Sequence, residues 1–200
     1  KESGQSLYRK VYPFMKSYKA DTLLPEKDTL IINPQFDYIS NLQTPMDEDF
    51  EQLGSGFEIT ESSDTTLMVT NDSNTINGRS GHIVLDEEHN QFDCRSSDVY
   101  NLPPDRKVYL EVEYYSEDAN LTAGVFAKEL EGGSYIDVRY SVIELYPDNK
   151  WRKVYINLTE IIASKPQALG FRIFFSALKP ENTEGEKVEL YIDNIKLLHY

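Results

Sequence analysis

From residue 48 onward the chain runs in short apolar stretches that alternate or cluster, and none of them settles into a 3.6-residue period. Successive side chains of a strand point to opposite faces, so this pattern specifies half-buried β-strands and leaves little room for helices. It predicts strands over 57–60, 66–70, 81–85, 107–116, 122–128, 135–146, 152–158, 169–175 and 188–198. Turn chemistry divides them, as in TNDSNTINGRSG at 70–81, NLPPDR at 101–106, EGGS at 131–134 and PDNK at 147–150. A parallel α/β fold needs a helix between most strands, and only LTEIIASK at 158–165 reads as one. With long connections between the strands, the expected fold is all-β: an antiparallel β-sandwich or jelly roll, in preference to an up-and-down hairpin barrel, with an N-terminal extension.

The extension reads differently. Leu7, Val11, Phe14, Met15 and Tyr18 approximate helical spacing, but Pro13 interrupts it, and a short strand at 30–32 ends at Asn33 and Pro34. The expected organisation is an arm or linker over 1–45 and one sandwich domain over 46–200. A chain of 200 residues, 40% hydrophobic, is enough for one sizeable core.

Composition narrows the partners. A net charge of -14 repels phosphate backbones and anionic lipid surfaces, so nucleic acid is not an expected partner. The same charge serves solubility alone in the plainer reading. A mean hydropathy of -0.52 and the lack of any apolar run near 18 residues give no expectation of membrane insertion. Cys94 is the one cysteine and has no intramolecular disulfide partner. The opening KESGQSLYRK has neither Met nor an apolar stretch, so a leader either has been removed or lies outside this sequence.

The order of four segments carries a resemblance. KVYLEVEYYSED at 107–118, the tryptophan-led WRKVYINL at 151–158, LGFRIFFSA at 169–177 and the closing YIDNIKL at 191–197 follow one another. Together they resemble the galactose-binding-like jelly roll shared by many carbohydrate-binding modules. The likeness covers 107–200 well, 48–100 loosely and the first 45 residues not at all. It implies a non-catalytic glycan-binding module, secreted or at the cell surface, in the style of surface lipoproteins anchored through a removed N-terminal segment. It also implies a structural Ca2+ held by the acidic residue of the closing strand and an acidic residue near the first strand. Here those are Asp193 with Asp49 and Glu51. The alternative is that Asp193 and Asn194 turn the sheet edge through hydrogen bonds to the local backbone.

Strand alternation puts Val108, Leu110, Val112 and Tyr114 on one face, with Tyr109, Glu111, Glu113 and Tyr115 on the other. Ile136, Val138 and Tyr140 are expected inward and oppose Tyr135, Asp137 and Arg139, while Leu169, Phe171, Ile173 and Phe175 are expected inward and oppose Arg172, Phe174 and Ser176. The outward set Tyr109, Tyr115, Phe126, Asp137, Arg139, Arg172 and Phe174 mixes rings with charges. A sugar site needs that mixture, because rings meet the apolar face of a pyranose and charged groups bond its hydroxyls. Cross-strand pairing on a solvated face uses the same residues, so both readings stand. If the arm covers this face, Phe92 and Tyr100 become the rim candidates. Trp151 is a sugar-stacking ring in one reading and a core or edge filler in the other.

Catalysis finds little support in the sequence, an acid-pair glycoside hydrolase being the least favoured reading. His82, His89 and His199 have no metal-ligand spacing, and the S-x-x-K string at Ser176 ends a strand instead of opening a helix. Glu111 and Glu113 form the kind of acid pair expected by chance among 34 acidic residues. The expected partner is therefore a glycan, the alternative being a protein met by an adhesion or assembly surface.

Overall fold

In the computed structural model, residues 42–52, 55–72, 74–76, 78–181, 183 and 187–199 are described. Thr44–His199 make one compact unit, which begins two residues ahead of the expected boundary. The arm and the strand expected at 30–32 lie outside the described residues as far as residue 41.

The elements, in order, are β1 (Gln43–Glu48), β2 (Phe57–Ile59), β3 (Met68–Thr70), β4 (Ser80–Leu85), β5 (Gln91–Ser96), β6 (Val108–Ser116), β7 (Leu121–Glu131), β8 (Ser134–Leu145), β9 (Arg152–Asn157), one short helix α1 (Thr159–Ala163), β10 (Phe171–Leu178) and β11 (Val188–His199). One sheet has the order β3-β4-β11-β6-β9, with β1 also pairing β11, and the other has the order β2-β5-β10-β7-β8. From β4 onward the chain passes from sheet to sheet at nearly every connection, apart from the β7–β8 hairpin. Pairing is antiparallel, and the result is the expected jelly-roll sandwich.

The core lies between the sheets and follows the two-residue period. Ile83, Leu85, Val108, Leu110, Val112, Leu190, Ile192, Ile195 and Leu197 enter it from the six-stranded sheet. Phe92, Cys94, Leu121, Val125, Phe171, Ile173 and Phe175 meet them from the other. Burial pushes the Cys94 thiol well above its ordinary pKa, so it is an inert core residue.

Two strands depart from the sequence expectation. β1 begins at Gln43, inside the stretch assigned to the arm, because Met46 buries against the core while its neighbours stay exposed. β5 was not expected at all, and Phe92 is a fully buried core residue instead of a rim aromatic. Its inward set is Phe92, Cys94 and Ser96, so only one of three core positions carries a strong apolar signal. Tyr100, the other rim candidate, is tied to Phe171 by an isolated bridge.

The DN pair of the closing strand is a β-bulge. Asp193 faces Glu113 and Lys196 faces Glu111, so β11 carries one extra residue between them. Asn194 is that residue, in the left-handed region at φ 47° that Asn tolerates better than most side chains. The insertion resets the alternation, which lets Ile192 and Ile195 both point into the core.

Candidate functional site

The predicted ligand-binding residues divide between the two outer faces. Tyr109 and Tyr115 lie on β6 in the six-stranded sheet, whereas Phe126 (β7), Asp137 and Arg139 (β8), and Arg172 and Phe174 (β10) share the outer face of the five-stranded sheet. All seven point outward as alternation requires, but alternation cannot tell which sheet a strand joins, so the seven do not form one surface.

On the five-stranded sheet the register builds rows across the strands. Arg172, Phe126 and Arg139 stand side by side, and the next row runs Glu58, Arg95, Phe174, Gly124, Ser141. A third row runs Asp93, Ser176, Thr122, Glu144. Phe126 and Phe174 pack at 5.2 Å between ring centroids. Gly124 makes this possible, since a Cβ there would overlap the Tyr140 carbonyl oxygen and stand 2.7 Å from Phe174 Cε1.

Ion pairs cross above these rings. β5 and β8 are separated by β10 and β7, a span of roughly 14 Å at about 4.8 Å per strand spacing. Nevertheless Arg95 Nη1 donates to Asp137 Oδ2 at 2.9 Å, and Arg139 on β8 pairs with Asp93 on β5. Long side chains from both flanks therefore lean over β10 and β7 and roof the middle of the face. Arg139 Nη2 also donates to Ser176 Oγ at 2.6 Å, and Thr60 Oγ1 donates to Asp93 Oδ1 at 2.9 Å. Arg172 pairs with Glu58, which also accepts from Arg95 Nε at 2.6 Å. The Arg95 hydrogen bond is the main reason the Glu58 carboxyl sits below its ordinary pKa.

This roof changes the role expected of Phe174. Its ring faces outward yet is fully buried, with the Arg139 guanidinium carbon 4.0 Å from the ring centroid. It supports a cation and cannot stack on a sugar in this arrangement. Phe126 keeps part of its surface accessible, with Arg172 beside it in register and the Arg139 guanidinium carbon 5.8 Å from its ring centroid.

On the opposite sheet, Tyr115 belongs to an aromatic group with Trp151, Tyr191 and His82. Tyr191 stacks on His82 at 4.3 Å and 6°, and Tyr115 and Trp151 lie 6.0 and 6.4 Å from it. Trp151 Nε1 donates to the Asn74 carbonyl at 2.8 Å, and the Tyr191 hydroxyl lies 3.0 Å from Asp72 Oδ2. The group thus holds Asp72 and Asn74 between β3 and β4, and Trp151 is a packing residue there. Burial raises the pKa of the Tyr191 phenol, aided by the Glu189 and Asp72 carboxylates. Glu111 and Glu113 both hold Lys153, at 2.9 and 3.0 Å, which gives the acid pair a structural partner.

The proposed metal ligands are only partly drawn together. Asp193 is buried, with Oδ1 accepting from the Asn194 N–H at 2.7 Å and Oδ2 from Ser80 Oγ at 3.1 Å. Burial lifts its pKa to about 6, and the Glu113 and Glu51 carboxylates push the same way. A buried anion with acidic neighbours matches the hard-oxygen chemistry of Ca2+. Asp49, in contrast, is exposed and accepts the Glu51 N–H at 3.1 Å. Among the described residues no three His, Cys, Asp or Glu side chains group so as to hold a metal.

No protein-family model matches the chain, and no curated protein matches its sequence. Solved structures do resemble it. The CBM22-1–GH10 modules of the Clostridium thermocellum xylanase 10B, in complex with xylohexaose, align over 78% of this chain at 10% identity and a TM-score of 0.55. This chain spans 28% of that xylanase chain. The family 11 carbohydrate-binding module of the Clostridium thermocellum cellulase Lic26A-Cel5E aligns over 78% of this chain and 94% of its own, at 12% identity and a TM-score of 0.51. A xylan-binding domain of family CBM22 aligns over 77% and 93%, at 9% identity and a TM-score of 0.50. The chain has the jelly-roll fold of these carbohydrate-binding modules.

Proposed function

We propose that the chain is a non-catalytic carbohydrate-binding module acting outside the cell, with the outer face of the five-stranded sheet as its glycan surface. The observation that carries this is the Arg172–Phe126–Arg139 row, where a partly accessible ring has an arginine beside it on each neighbouring strand and the Arg139 guanidinium carbon 5.8 Å from its centroid. Such a row offers apolar contact to a pyranose and donors to its hydroxyls. The net charge of -14 and the carboxylates paired with these arginines, Asp93 and Glu58, favour an uncharged glycan over an anionic one. Two of the similar structures are described with xylan or xylohexaose, so xylan oligomers head the ligand panel.

A structural Ca2+ belongs to the same reading. Asp193 and Glu51 would be its carboxylates, main-chain carbonyls would complete the oxygen shell, and the ion would neutralise a buried anion. The test is a thermal-melt series with xylohexaose, cello-oligosaccharides, Ca2+ and EDTA. A ligand that binds only the folded state raises its Tm. A glycan-dependent rise that Arg172→Ala removes is the expected result. A flat response across the panel overturns the carbohydrate reading, and indifference to Ca2+ and EDTA overturns the ion.

A further inference from the structure

The roof over the middle of the five-stranded sheet raises the question of where a glycan gains entry. The third row, Asp93–Ser176–Thr122–Glu144, lies beyond the Phe126–Phe174 pair toward the C-terminal end of β10. There the face opens into a cavity of about 410 Å³ lined by Asn120, Thr122, Glu144, Ser176 and Lys179 and walled by Leu178. That volume falls within the range of small-ligand sites. The cavity is continuous with the roofed face, because Ser176 lines it and also accepts from Arg139 Nη2.

Its chemistry suits hydroxyl groups. Asn120 Nδ2 donates to Glu144 Oε1 at 3.0 Å, which leaves the second carboxylate oxygen to accept from a ligand. Lys179 Nζ donates to the Thr183 carbonyl at 2.6 Å and retains two further protons. Thr122 and Ser176 add hydroxyls, and Leu178, 63% exposed, supplies an apolar edge. Asp118, Glu144 and Glu181 against one Lys make the lining net negative, which disfavours uronic acids and phosphosugars.

We propose that this cavity at the end of β10 is a second subsite, which takes a segment of an uncharged oligosaccharide whose remainder lies across the sheet face beside the Arg139–Ser176 contact. The proposal rests on the carbohydrate-binding reading of the same face. It makes the site one for chains of several sugars, with Glu144 and Thr122 setting the preference for longer oligomers.

Backbone-amide shift mapping of the full chain with xylohexaose, xylobiose and tri-galacturonic acid tests it, together with calorimetry on Glu144→Gln and Thr122→Val. The expected result is xylohexaose-induced shifts at Asn120, Thr122, Ser176 and Lys179, none with tri-galacturonic acid, and at least a fivefold loss of hexamer affinity in either variant with xylobiose affinity unchanged. Hexamer shifts confined to Phe126, Arg139 and Arg172, with both variants binding like the parent, overturn the subsite and leave the carbohydrate reading standing. An absence of shifts with any sugar overturns both.

Discussion

The Arg139 guanidinium lies over Phe174, its carbon 4.0 Å from the ring centroid, while its nitrogens reach Asp93 and Ser176. One side chain from the edge strand thus covers a buried ring and neutralises a buried carboxylate. Arg139→Ala would leave Asp93 without its cation, and unpairing a buried charged acceptor costs about 1–3 kcal/mol or more. Urea denaturation should show a lower midpoint for Arg139→Ala and a partial recovery for Arg139→Lys, which keeps the charge and loses the fork. An unchanged midpoint in the alanine variant would mean that the pair contributes nothing to stability.

Gly124 predicts a different failure. Its Cβ would meet the Tyr140 carbonyl and the Phe174 ring together, next to the register shift between β7 and β8. Gly124→Ala should destabilise by about 1–3 kcal/mol, the usual cost of overpacking, and should displace Phe174 from beneath Arg139. The measurement is a thermal melt paired with glycan titration, and both Tm and affinity should fall. A variant with parental Tm would show that the hairpin yields without cost.

Much of this architecture is legible in the sequence because alternation is a local signal. The inward set Val108, Leu110, Val112 and Tyr114 is buried as the period predicts, and the closing YIDNIKL does form the last strand. What alternation omits is partnership. Tyr115 and Phe126 are equivalent in pattern, yet β6 pairs with β11 and β9 while β7 pairs with β10 and β8, so they face opposite sides of the sandwich. β5 leaves little trace in the sequence because Cys94 and Ser96 fill inward positions with weak β preference. The roof over Phe174 depends on Arg95 and Arg139 crossing two intervening strands, and no sequence spacing encodes that.

Trp151 separates structure from binding. Its Nε1–H donates to the Asn74 carbonyl, and its ring packs 6.2 Å from Tyr115 on the sheet opposite the proposed glycan surface. Trp151→Phe keeps an aromatic ring and deletes the hydrogen bond, a loss of about 1 kcal/mol. Proteolysis within 70–79 should quicken, while glycan affinity stays at the parental value. A loss of affinity at unchanged stability would instead place a sugar contact on the six-stranded sheet.

Asp193 makes the stability of the metal-free protein depend on pH. Burial raises its folded-state pKa from the ordinary 3.8 to about 6, with Glu113 and Glu51 adding to the effect against the hydrogen bonds from Asn194 and Ser80. Between those two values the folded state holds a proton that the unfolded state has released, so this residue's contribution to stability is greatest below about pH 4 and declines as pH rises through about 6. In EDTA, Asp193→Asn should remove that decline. Its amide oxygen can still accept from Asn194 and its amide nitrogen can donate to Ser80 Oγ, so the variant should be at least as stable as the parent at pH 7. Added Ca2+ should stabilise the parent at pH 7 and leave Asp193→Asn unmoved. Tm measured from pH 4 to 8, with and without the ion, reads both effects. A parent and variant with parallel pH profiles would show that Asp193 does not titrate in this range, and equal Ca2+ responses would place any ion elsewhere.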